Sequence, residues 1–189
     1  ASAFKTFTYL SGTRVYSGAP STEENSALSV TSSKAEEFDN IYKLMGESLC
    51  LQSGRDVRVI RLSNVYGNEM SEHNFLSQII SSAKTHGRVT FQSNLDSEKD
   101  YISIRDVVHL LPKIAQYGKN EIYNLASGKN VSHAQLAQAL TQLGVHCVVD
   151  VDAISHKFVS INTEKLQTQF GIAQINLIEE FPSLYNYGG

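Results

Sequence analysis

The chain has 189 residues, 41% of them apolar and 19% charged, with a formal net charge of −3. That is enough carbon for one domain, or one domain with a small lobe, and it lacks the concentrated positive charge of a nucleic-acid footprint. No apolar run approaches the ~18 residues that span a bilayer, and ASAFKTFTYL has no basic segment leading an apolar one, so the expected location is the cytoplasm.

The elements can be read in chain order. FKTFTYL (4–10), rich in aromatic and β-branched residues, predicts a strand ending at SG. Small and polar residues over 17–33 predict an exposed loop. Apolar positions 38, 41, 42, 45, 49 and 50 predict a helix over 33–53, with Gly54 just past its end. DVRVIRL (56–62) reads as a buried strand, and NVYGNEMSEH as the loop at its carboxyl end. A helix over 74–85 and a strand over 88–92 follow.

DYISIRDVVHLLPKIAQYG (100–118) predicts a brief strand that turns into a helix near Arg105. EIYNLA (121–126) reads as a strand ending at SGKN. Ser132 is positioned to cap the helix AQLAQALTQLG, which Gly144 closes. HCVVDVD, a mixed segment with KFVSIN, a helix over 163–170 capped by Asn162 or Thr163, and a polar tail complete the chain, with Tyr185 and Tyr187 read as surface or partner contacts. Strands alternating with helices, with glycines at the junctions, define an α/β protein.

Cys50 and Cys147 both sit among apolar residues and are expected to be buried free thiols. The six histidines are dispersed without metal-ligand spacing, so no metal is expected. No G-x-G-x-x-G turn occurs; the nearest stretch, SGTRVYSG, has its glycines six apart.

Five blocks in order carry a resemblance: FTYLSGTRVYSG, FDNIYKLMGE, RVIRLSNVYG, EKDYISIRDVV and EIYNLASGKNVSHAQLAQAL. Together, over about Phe4 to Phe181, they resemble the extended short-chain dehydrogenases that epimerise or dehydrate sugar nucleotides, and specifically the later part of such a chain. The resemblance implies a partial Rossmann-like parallel sheet with a small α/β substrate-binding lobe. It places residues 1–66 in the C-terminal part of the nucleotide-binding domain. Residues 67–189 would mix returning sheet elements with the lobe. It also implies NAD or NADP as cofactor, a nucleotide sugar as ligand, and either a homodimer or pairing with a missing N-terminal half.

In that family a tyrosine and a lysine four residues apart share one helical face. The lysine cation favours the phenolate and holds the nicotinamide ribose, while a Ser or Thr behind the preceding strand bonds the sugar oxygen. Here KLMGE places the lysine at Lys43, and the position four residues earlier is Asp39 rather than tyrosine. Tyr42 is the neighbouring phenol that could substitute. The hydroxyl position falls on Gly12, flanked by Ser11 and Thr13; Thr13 could compensate, and Ser11 is expected to turn into the sheet or to meet the cofactor. These departures make unaided turnover doubtful, and a non-catalytic nucleotide-sugar-binding or partner-docking module is the alternative.

The remaining blocks keep more of the pattern. Asn64 is expected at the sugar-nucleotide phosphate or hydroxyls, or as a turn residue. Lys99 occupies the place of a diphosphate-binding arginine, offering charge without the bidentate fork. Arg105 could face the phosphates, and His156 and Lys157 lie near another expected phosphate-binding cation. Arg61, Asp100, Asp106, Asn124 and Ser127 read as structural.

Overall fold

A computed structural model describes residues 4–187. Three short sheets and six helices form two packed regions, an α/β arrangement.

The first sheet is wholly parallel, in the order β1 (Phe7–Gly12), β2 (Val57–Leu62), β6 (Ile122–Leu125). Strand β1 begins later than the composition suggests and runs on to Gly12. Its limits are set by pairing: Phe7 N–H donates to Asp56 C=O and the register runs from Phe7↔Val57 to Gly12↔Leu62. β1 is an edge strand, with Phe7 and Leu10 exposed. Residues 122–125 return to this sheet after a long excursion, as βαβ topology requires.

Helix α1 (Phe38–Leu51) packs on β1 and β2. It starts five residues later than the periodicity predicts, because Ala35–Glu37 form a 3-10 turn and Lys34 N–H closes a turn on Thr31 C=O. The expected loop behind β2 contains a strand, β3 (Asn64–Tyr66), which pairs parallel with β5 (Glu98–Ser103). β7 (Asn130–Ser132), which runs from the last residue of SGKN to the Ser132 cap, pairs antiparallel with β5. Both additions are three residues long, too short to show a period of two.

The lobe is built from α2 (Phe75–His86), β4 (Arg88–Ser93), α4 (His133–Gln142), β8 (His146–Ile154) and α6 (Leu177–Asn186) around one apolar cluster. Its helix ends are fixed by local chemistry. Asn74 caps α2, accepting from Leu76 N–H, and Gly87 ends it at φ 63°. Ser132 caps α4 within a capping box closed by Gln135, and Gly144 follows at φ 81°. The expected polar tail is instead helix α6, which buries Leu177, Phe181 and Leu184 at helical spacing. Pro182 and the intervening polar residues mask that stripe in the sequence.

Helix α3 (Ile104–Tyr117) and α5 (Glu164–Gln169) cover the first sheet through Ile60, Ile102, Leu110, Ile114, Leu125 and Leu166. Asn162 Oδ1 accepts from Glu164 N–H at the start of α5, whereas Thr163 makes no side-chain cap. Cys50 and Cys147 are free thiols, but half-buried rather than buried. Among the described residues no helix is long and apolar enough to cross a membrane.

Candidate functional site

The parallel strands β1 and β2 both point their carboxyl ends at the lobe, and a cavity of about 420 Å³ lies in the gap. Open α/β sheets place ligands at this edge because the chain leaves each strand there as a loop. Gly12, Thr13 and Arg14 enter from β1, and Leu62, Ser63 and Asn64 from β2. Ser97, Lys99 and Asp100 come from β5 and the turn before it, and His133 and His156 also line the cavity.

Asp100 holds the wall together. Its carboxylate accepts from Ser63 Oγ at 2.5 Å, Ser127 N–H at 3.0 Å, Ser127 Oγ at 2.7 Å and Lys129 N–H at 3.1 Å. Its oxygens are therefore occupied, and it is 4% exposed. Asn64 is exposed beside it and donates from Nδ2 to Asp100 C=O at 2.8 Å. Asp106 likewise works on the backbone, accepting from Gln174 and Ile175 N–H.

Lys99 is different. Among the described residues it makes no ion pair or hydrogen bond; its Nζ lies 5.4 Å from the centre of the Phe75 ring. Burial pushes its pKa down, and the Arg14 guanidinium adds to that. A half-buried cation facing a cavity is a poor arrangement unless an anion arrives to balance it.

The expected catalytic residues do not converge on this cavity. Thr13, Asn64 and Lys99 line it; Lys43, Tyr42, Asp39, Ser11 and Arg105 do not. Lys43 is half-buried on α1 and donates to Leu10 C=O at 3.2 Å, near the end of β1. Asp39 is exposed in the first turn of α1, and Tyr42 is 56% exposed. Ser11 is 4% exposed, and its Oγ has no hydrogen-bond partner among the described residues. Arg105 starts α3 and pairs with Glu180, away from the cleft.

Tyr16 is the tyrosine of the cavity wall, yet it is not a free phenol. Its hydroxyl donates to Asn124 Oδ1 and accepts from Arg61 Nη1, both at 2.8 Å. Burial raises its pKa, against the lowering influence of Arg61.

Neither departure is forced by sterics. At Gly12 the backbone is extended, and an added Cβ would lie 3.8 Å from Leu62 C=O, an ordinary contact. Asp39 faces solvent, where a tyrosine would fit.

Sequence reasoning missed Arg14 and His133. Arg14 announces itself only as a basic residue directly behind a strand end. His133 opens α4 at 2% exposure, its ring 4.8 Å from that of Phe75 and 5.4 Å from that of Phe91. Neither ring nitrogen has a hydrogen-bond partner among the described residues, and burial lowers its pKa.

The architecture is that of a Rossmann-like α/β protein with a cleft between its sheet edge and a small lobe. A model of the NAD dependent epimerase/dehydratase family matches residues 1–126, and the chain belongs to that family. No curated protein matches the sequence. Among solved structures it is similar to RMD from Pseudomonas aeruginosa complexed with NADPH (21% identity, 95% of this chain and 65% of that one, TM-score 0.78). It is also similar to TunA, an NAD dependent NDP-hexosamine 5,6-dehydratase involved in tunicamycin biosynthesis (20%, 96% and 62%, TM-score 0.82). A third is the UDP-glucuronic acid 4-epimerase from Bacillus cereus in complex with UDP-glucuronic acid and NAD (16%, 98% and 62%, TM-score 0.81). The chain spans less than two thirds of the length of each of these three.

His133 supplies a pH-dependent term. Its folded pKa lies below the ordinary value of 6.5, so the unfolded chain binds the proton more readily. Stability is therefore unaffected by this group above about pH 6.5 and falls as the pH drops below it. Thermal denaturation at pH 7.5 and 5.5 should show a smaller acid loss for His133→Leu than for the parent chain. Equal losses would mean that the imidazole takes its proton in the folded state without cost.

Proposed function

We propose that this chain binds a nucleotide sugar in the cleft between β1, β2 and the lobe, and that it does not by itself run the tyrosine-dependent chemistry of its family. The observation that carries this reading is Lys99, an uncompensated half-buried cation on the wall of a ligand-sized cavity. In this reading the diphosphate lies on Lys99, with Asn64 contributing its amide, and the glycosyl group points to Gly12 and Thr13 at the end of β1. Arg105, paired with Glu180 outside the cavity, is given no ligand contact.

For the family's cofactor, the fit is divided. Lys43, anchored on Leu10 C=O beside the end of β1, is placed to donate to the ribose of NAD or NADP, which would supply the hydride acceptor. Ser11 is buried and offers that cofactor nothing. The proton-transfer partner does not fit. Asp39 is a carboxylate in solvent, a weaker base than a phenolate, and Tyr42 lies outside the cavity. Thr13 remains as the hydroxyl available to a sugar, and no reaction step is assigned.

Helix α1 carries a second reading, for partners. Phe38, Tyr42, Met45 and Leu49 are all more than half exposed and recur at spacings of four, three and four, one face of a helix. We read this stripe as the contact for a second copy of the chain.

Two measurements test these readings. Calorimetric titration with UDP-glucose and dTDP-glucose should give binding that Lys99→Ala weakens by ~10-fold or more, the scale of a lost charge-assisted contact. Unchanged affinity in the variant would remove Lys99 from the site. Native mass spectrometry should show a dimer that Leu49→Glu converts to monomer, and a monomeric parent chain would dispose of the α1 contact.

A further inference from the structure

Two cations reach the cleft from different walls, and the diphosphate accounts for one of them. Lys99 comes from β5. Arg14 comes from the 3-10 turn behind β1, one residue after Thr13, at the end where the glycosyl group is placed. Among the described residues Arg14 makes no ion pair and no side-chain hydrogen bond.

No carboxylate of the wall balances the pair. Asp100 is occupied by Ser63, Ser127 and the Lys129 N–H. The buried acids behind the wall are also engaged: Glu47 holds Arg61, and Glu24 accepts from Asn124 N–H. Two like charges across an open cavity disfavour each other, and Arg14 is indeed one of the groups that disfavour charge on Lys99. A diphosphate on Lys99 answers only that end.

The other end has a particular chemistry. A guanidinium stays protonated, so it cannot serve as a base. It is a planar fork whose geometry matches a carboxylate through two parallel N–H···O bonds. Gly12, which lines the same cavity, has no side chain, and an added Cβ there would have nothing closer than Leu62 C=O at 3.8 Å, so the space over Gly12 is open.

Resting on the nucleotide-sugar reading above, we infer that the glycosyl group is itself anionic: the cleft takes a nucleotide-linked uronic acid, whose carboxylate is bound by Arg14. The same residue makes the site selective, because a neutral hexose presents only a hydroxymethyl group to the fork. The charges then match at both ends, the diphosphate against Lys99 and the carboxylate against Arg14.

The test is calorimetric titration of the purified chain with UDP-glucuronate, UDP-glucose and UDP at one salt concentration. The parent chain, Arg14→Gln and Arg14→Lys would be compared. Arg14 is exposed, and thermal denaturation checks that both variants keep the fold. The parent should bind UDP-glucuronate ~10-fold or more tightly than UDP-glucose. Arg14→Gln should bring the two within ~2-fold of each other while leaving UDP-glucose unchanged, and Arg14→Lys should keep part of the preference. Equal affinities in the parent would overturn the inference alone. So would an Arg14→Gln variant that loses as much for UDP as for UDP-glucuronate, which would assign Arg14 to the diphosphate. Binding of none of the three would overturn the nucleotide-sugar reading and this inference with it.

Discussion

The guanidinium of Arg61 joins pieces of the chain that are far apart in sequence, and the cleft depends on that junction. Arg61 sits inside β2 and donates from Nε and Nη2 to the Glu47 carboxylate on α1, at 3.0 and 2.7 Å. Its third nitrogen reaches Tyr16 Oη behind β1 and Glu24 C=O in the following loop. Tyr16 passes the connection to Asn124 on β6, whose amide donates to Thr22 and Asn162 C=O. Both charges of the Arg61–Glu47 pair are nearly inaccessible, at 3% and 4% side-chain exposure. Losing either partner would strand the other, a cost of ~3–5 kcal/mol in comparable pairs. The network thus fixes the strand ends from which Thr13, Arg14 and Asn64 project, and it also removes Tyr16 from any role as a base.

The cleft itself shows the opposite economy of charge. Behind the wall every acid has partners, whereas the wall's two strongest cations, Lys99 and Arg14, have none among the described residues. The buried charges of Arg61, Glu47 and Asp100 are satisfied within the fold, whereas Lys99 and Arg14 face the cavity. Of the positions compared with the family pattern, Asp39 stands in solvent and position 12 is a bare glycine where a serine would fit. A side chain at position 12 would meet only Leu62 C=O, at 3.8 Å, so packing does not dictate the glycine.

Much of the fold was legible because its signals are local. Ser132 as a cap and Gly144 as a left-handed stop mark the ends of α4 by chemistry that needs no tertiary context. The family likeness was legible because five short blocks recur in order. The structure added what depends on pairing and on distant neighbours. β3 and β7 exist only because β5 lies between them. Helix α6 is defined by the lobe core it enters, and Pro182 obscured its stripe. Of the residues placed by likeness, Thr13, Asn64 and Lys99 line the cavity, whereas Lys43 bonds Leu10 C=O and Arg105 pairs with Glu180. Arg14 could not be found by likeness, since its meaning comes from the Lys99 charge facing the same cavity.

The most direct test of a ligand seat at this sheet edge is chemical-shift mapping on the isotope-labelled chain during addition of a UDP-sugar and NAD. Perturbed amides should cluster at Thr13, Arg14, Asn64 and Lys99, while the sugar resonances stay unchanged over hours. Perturbations confined to the outer face of α1, or conversion of the sugar into a new species, would contradict that expectation.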